Sequence, residues 1–248
     1  MTAIIGFLFG DGVFVSADTR RLSDGEKDKY KNSVKEKFEK YYARKIHKLT
    51  DTKALAVAGN PGDIGPIQEI QWKIHNNYNK NDTTNLIIDT FKKYDHTRII
   101  NEMLLFGLDN EKSFMIDIDA NLNVKECHSS NVKGIPEKEF EITAQAELES
   151  ATHNHELVLD IWAQLTFNKI ISKSLPKLAR IHGVTKHDLQ KSLASVDFPI
   201  DIVIIKNNGK GFMWNGVDTR GLSEENIDLF EGGRELGEIL DKRFTIKI

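Results

Sequence analysis

Cysteine is almost missing from this chain: Cys127 stands alone among 248 residues. That excludes an intramolecular disulfide framework and a zinc site built from cysteines, and it leaves a free thiol on or under a strand. Long apolar runs are missing too. No stretch approaches the roughly 18 uninterrupted apolar residues that a membrane span needs, and the first residues lack a basic flank followed by a long apolar segment. The expectation is a cytoplasmic protein with no membrane partner. Nor is there an excess of charge, since a net charge of -3 gives no basic field of the kind that drives nucleic-acid binding. There is no internal repeat, low-complexity tract or domain linker. With 40% apolar residues, the chain has enough to build one large packed domain over residues 1–248.

What is present is concentrated at the start. Two short apolar runs, residues 3–9 and 13–17, flank Asp11-Gly12, a dipeptide that favours the primed turns of hairpins. A β-hairpin is expected, with Asp18 and Arg20 where its second strand runs out. Thr2 directly follows the initiator Met. Removal of Met1 would leave a threonine with its own free amine, a base carried on the same residue as the nucleophilic hydroxyl.

Residues 20–45 change character, with ten Lys or Arg against five Asp or Glu. Tyr30, Val34, Phe38 and Tyr41 recur at helical spacing, which predicts a charged amphipathic helix over residues 29–44. A second hairpin is expected over 45–59. Ile64, Ile67, Ile70 and Ile74 predict a helix over 66–77 with Asp63 just upstream as a helix-start carboxylate, and Asp82-Thr83-Thr84 are placed to cap a second helix. Strands are expected at 103–107, 114–118 and 122–124, and another at 140–144. Helical patterns follow at 157–181, broken near Pro176, and at 185–193. A last hairpin spans 200–214, and the charged tail, 223–242, reads as helical. Strands and paired helices in this order point to an α+β domain of antiparallel sheets covered by helices.

These residues carry a resemblance. Thr2 before a strand, then Asp18-Thr19-Arg20, Lys45-Ile46-His47-Lys48-Leu49, and Ala58-Gly59 with the glycine 14 residues past Lys45, resemble the β-type subunits of the proteasome family of N-terminal-nucleophile (Ntn) hydrolases. Ala58-Gly59-Asn60, the overall length, and Ser195-Val196-Asp197-Phe198-Pro199-Ile200-Asp201 before an apolar strand are similar to the bacterial Anbu-type branch. The charged segment at 21–44 then stands as an insertion. The resemblance implies a four-layer αββα sandwich, two antiparallel sheets between helical layers. It implies Thr2 as nucleophile, Asp18 and Lys45 as its charged partners, Arg20 as a buttress and the Gly59 amide as oxyanion donor. Asp197 matches an Asp that proteasome subunits carry three residues before Ser-Gly-Gly, although no such serine follows here. Where the family has a Gly-Ser-Gly-like turn, this chain has Ile142-Thr143-Ala144-Gln145.

The chemistry also follows from the residues. A free α-amine titrates at about 8, so a fair fraction is available at neutral pH to take the hydroxyl proton. A buried lysine beside it would lower the pKa of amine and hydroxyl, and a carboxylate would hold that lysine charged. A glycine N–H can approach the developing oxyanion closely. This describes threonine-type peptidase chemistry through an acyl-enzyme, with no cofactor and no metal. The partners expected are a peptide or unfolded protein as substrate and further copies of the chain as a homo-oligomer, with an unfoldase partner left open and no nucleic acid. The alternative is a non-catalytic subunit that keeps the fold for assembly. His153 and His155 read as surface residues, and His47 as solvated or packed.

Overall fold

The structure is a computed structural model that describes residues 4–18, 44–59, 64–94, 102–133, 200–217 and 234–238, together with Ile142 and Ala146. Residues 21–43 of the insertion at 21–44, the helices expected at 157–181 and 185–193, and His153, His155 and Asp63 lie outside the described residues.

The chain opens with β1 (Ile4–Phe9) and β2 (Gly12–Asp18), which pair antiparallel with Phe9 opposite Gly12. The loop is therefore Gly10-Asp11, one residue earlier than the Asp11-Gly12 turn expected, and neither residue takes a positive φ. The primed geometry appears elsewhere, at Asn110-Glu111, with φ of 49° and 63°. Next come β3 (Ile46–Thr50) and β4 (Lys53–Ala58), then helix α1 (Ile64–Lys73), which begins earlier and ends sooner than its isoleucines suggested. Helix α2 (Lys80–Lys93) starts from Asn79 and not from Asp82. The Asn79 side chain accepts from the N–H groups of Asn81 and Asp82, at 2.8 and 2.9 Å. Thr83 and Thr84 lie inside the helix and donate their hydroxyls to the carbonyls of Asn79 and Lys80.

Four further strands follow: β5 (Glu102–Asp109), β6 (Lys112–Ile118), β7 (Val124–Cys127) and β8 (Ser130–Lys133). Leu122, expected in a strand, sits in a turn with φ of 64°. Ile142 and Ala146 are helical, against the strand expected at 140–144. Strands β9 (Ile200–Lys206) and β10 (Gly211–Val217) form the last hairpin, and β11 (Arg234–Glu235) places a strand within the tail expected to be helical.

Two antiparallel sheets result. One has the order β11-β10-β9-β2-β1-β8 and the other β3-β4-β5-β6-β7. They pack face to face through Ile4, Val13, Val15, Ala17, Val203 and Ile205 from the first, and Ile46, Ala54, Ala56, Leu104, Phe106 and Met115 from the second. β5 shows the period-2 logic: Leu104 and Phe106 enter this layer, while Met103 and Leu105 point the other way onto Ile67, Ile70, Ile87 and Phe91 of the helices. Full burial of each such aliphatic side chain contributes about 1.5–3 kcal/mol. Gly6 lets β1 come close to the second sheet. A Cβ there would lie 2.6 Å from both Leu104 Cδ2 and Met115 Sδ.

The remaining face of the six-stranded sheet is also apolar and covered, with Ile5, Phe7, Phe14, Ile202 and Ile204 all at most 4% exposed. At one edge, Lys133 and Asn131 of β8 both meet Asp117 of β6, a polar tie between the sheets. The Cys127 thiol is buried beside Asn131, and burial pushes its pKa up, which favours the inert thiol. At the turn end, Asn207 accepts from Ser113 N–H at 2.9 Å and donates to the Gly10 carbonyl at 3.3 Å, holding three turns together.

Candidate active site

The opposite end of the sandwich, where β2 finishes and β3 begins, holds the charged residues. Asp18 is the last residue of β2 and pairs across the ladder with Ile200. Lys45 immediately precedes β3, and its carbonyl accepts the Val57 N–H at 2.8 Å, which pins its backbone to β4. From that position its side chain crosses to the other sheet. Lys45 Nζ donates to Asp18 Oδ2 at 2.6 Å, and the two side chains are 5% and 0% exposed.

A buried ammonium is costly unless paired and hydrogen-bonded. Burial pushes the Lys45 pKa below its ordinary value. The Asp18 charge, the hydrogen bond to Asp18 and then the Asp201 charge all pull it back up. The pair is thus a short, charge-assisted bond in a dry place, of the kind that holds both groups in one geometry.

Gly59 follows the last residue of β4 and lies at the same end, since Val57 is the residue bonded to Lys45. Its φ of 148° is a conformation that side chains other than glycine's rarely adopt. The Ala58-Gly59 step therefore needs a glycine for its backbone path, independently of any close approach by a ligand.

His47, the next residue but one after Lys45, packs beneath the helices and not at this cluster. Its pKa is lowered to about 4, by burial first and by the Arg44 charge second. The structure thus brings Asp18 and Lys45 into contact and puts Gly59 at the same end of the sandwich. Thr2, Arg20 and Asp197 lie outside the described residues.

One residue at this end had no role in the sequence reading. Asp201, at 3% exposure, is opposite Ala17 in the β2–β9 ladder, and its charge acts on Lys45. The signal was available: in Ile200-Asp201-Ile202-Val203-Ile204-Ile205 a carboxylate occupies an inward position of an otherwise aliphatic strand. No protein-family model matches the sequence, and no curated protein matches it.

Proposed function

We propose that the chain is a threonine-type peptidase, an Ntn hydrolase of the proteasome β type nearest the Anbu-type branch, acting inside a self-assembled oligomer. The observation that carries this reading is the buried Lys45–Asp18 pair, held between the ends of two stacked antiparallel sheets at the end where β4 runs out into Gly59. Thr2 is two residues ahead of Ile4 in the sequence, and Ile4 pairs with Ala17, next to Asp18. The reading completes the fold as an αββα sandwich. The buried outer face of the six-stranded sheet supports a further covering layer, for which the sequence offers the helical patterns at 157–181 and 185–193.

In this mechanism the α-amine of Thr2 takes the hydroxyl proton as Oγ attacks the carbonyl carbon of a peptide bond. The Lys45 ammonium, kept charged by Asp18, stabilises the nascent alkoxide, and the Gly59 N–H donates to the oxyanion. Collapse breaks the C–N bond, the amine leaves with the proton held by the Thr2 amine, and water then cleaves the ester by the same route in reverse order. A second reading, a non-catalytic subunit, is favoured by one observation. Ile142 is helical and exposed where the resemblance calls for a Gly-Ser-Gly-like turn.

Intact mass of the protein from its native host, with hydrolysis assays of peptide amides and esters, decides between them. Loss of one methionine, turnover by the wild type and none by Thr2→Ala support the peptidase. A retained Met1, or equal turnover by wild type and Thr2→Ala, removes it.

A further inference from the structure

We propose that the cavity at the turn end of the sandwich, about 530 Å³ in volume, is a binding site for a small carboxylate that carries its own hydroxyl or ammonium donors. Four connections meet around it: the β3–β4 turn at Thr52, the α1–α2 loop at 76–79, the β5–β6 turn at 109–111 and the β9–β10 turn at 207–209. A concave site of this size is in the range that small ligands occupy. One wall is preformed, because Asn207 already ties its own turn to Ser113 and to Gly10.

Lys53 lies at the base. Alternation along β4 sends its side chain to the helix side of the sheet with Leu55, and in the ladders it stands opposite Gly107, which is flanked on its other side by Phe114. The missing side chain of Gly107 leaves room for the lysine stem, since a Cβ there would come within 3.0 Å of Lys53 Cγ. Lys53 is 3% exposed and lines the cavity, yet among the described residues no hydrogen bond or ion pair meets its ammonium. Burial lowers its pKa, and the Asp109 charge acts in the opposite direction. An ammonium in such a place is costly without a hydrogen-bonded counter-charge, and a ligand oxyanion would supply one.

The amides around it are turned to donate. A backbone N–H can be met only by the oxygen of a side-chain amide. Asn79 Oδ1 is engaged by the N–H groups of Asn81 and Asp82, and Asn208 Oδ1 by that of Lys210 at 3.0 Å. Both residues line the cavity and keep their NH2 groups for an acceptor. Asp109 and Glu111 line it too. Two acids beside one lysine oppose a dianion such as phosphate, and they favour a monoanion with a hydroxyl or ammonium that can donate to them. The chemistry that fits is an α-hydroxy or α-amino carboxylate. The site shares no residue with the Lys45 cluster and does not rest on the peptidase reading.

In the full chain, glycolate, glycine and inorganic phosphate are titrated separately at equal ionic strength while the side-chain amides of Asn79 and Asn208 are followed by NMR. Glycolate or glycine should give saturable shifts at these amides and bind more tightly than phosphate, and Lys53→Met should weaken that binding by about tenfold or more. No saturable shift with either carboxylate, tighter binding of phosphate, or undiminished binding by folded Lys53→Met each overturns the proposal. If Lys53→Met does not fold, Asn208→Ala on its exposed turn takes its place. Loss of that donor should weaken binding by about threefold or more, and an unchanged affinity overturns the proposal equally.

Discussion

Lys45 Nζ lies 2.6 Å from Asp18 Oδ2 although the two residues are 27 apart in sequence, Asp18 ending a strand of one sheet and Lys45 leading into a strand of the other. The bond thus reports the docking of one sheet on the other. Removing one partner leaves a charge in a dry site, at a cost of about 3–5 kcal/mol, whereas replacing both with matched neutral groups relieves it. Lys45→Met and Asp18→Asn should each destabilise strongly in denaturant unfolding, and the double variant should be more stable than the sum of the two losses predicts. Additive losses would mean that the pair is not coupled in solution.

Stability should depend on pH through His47. Its folded pKa of about 4 lies below its ordinary 6.5, so the folded chain holds it neutral. The contribution is present in full above 6.5 and is lost as pH falls from there towards 4, by about 1–3 kcal/mol. His47→Gln should therefore flatten the stability profile in that window relative to wild type. Parallel wild-type and variant profiles would show that the ring takes up its proton without resistance.

The helix start at Asn79 gives a smaller, local prediction. Asn79→Ala removes the acceptor for two N–H groups and should cost about 1 kcal/mol, while Asp82→Ala, at a position that caps nothing, should cost less. Thermal unfolding of both variants checks the order. A larger loss for Asp82→Ala would place the cap where the sequence first suggested it.

Assembly is the fourth prediction. A site whose base is a terminal amine would cleave indiscriminately if open to solvent, so the proposed function calls for a shell of repeated contacts, closed as a ring or open as a helical array. Sedimentation at micromolar concentration should show a multimer, reduced when Phe38 and Tyr41 of the insertion are both changed to Ser. A strictly monomeric wild type would contradict the enclosed peptidase and the structural subunit alike.

The hairpins and the two helices were legible because their apolar residues recur at the periods that burial imposes. Strand β8 was not. Ser130-Asn131-Val132-Lys133 has one apolar residue, and its strand state comes from pairing with β1, which local pattern does not encode. β11 is a similar case: two charged residues are drawn into the sheet by pairing with β10, beside a fully buried Leu236. Asp82-Thr83-Thr84 resembled a cap, but the threonine hydroxyls bond back to preceding carbonyls, which lets the helix continue through them. At the site, Asp18 and Lys45 were picked out through the spacing of the resemblance, whereas the inward placement of Asp201 shows only once the register sets it opposite Ala17.

The separation of the two ends of the sandwich has a practical side. Any affinity handle fused ahead of Thr2 and left in place would abolish the terminal amine on which the proposed chemistry depends. The Asn110-Glu111 loop is exposed and lies at the far end of strands about 20 Å long, so a short epitope or fluorophore inserted there would leave Lys45 and Asp18 untouched. Such an internally marked protein leaves the residues around Thr2 unaltered, and its oligomers can be isolated without touching the amine on which the proposed chemistry depends.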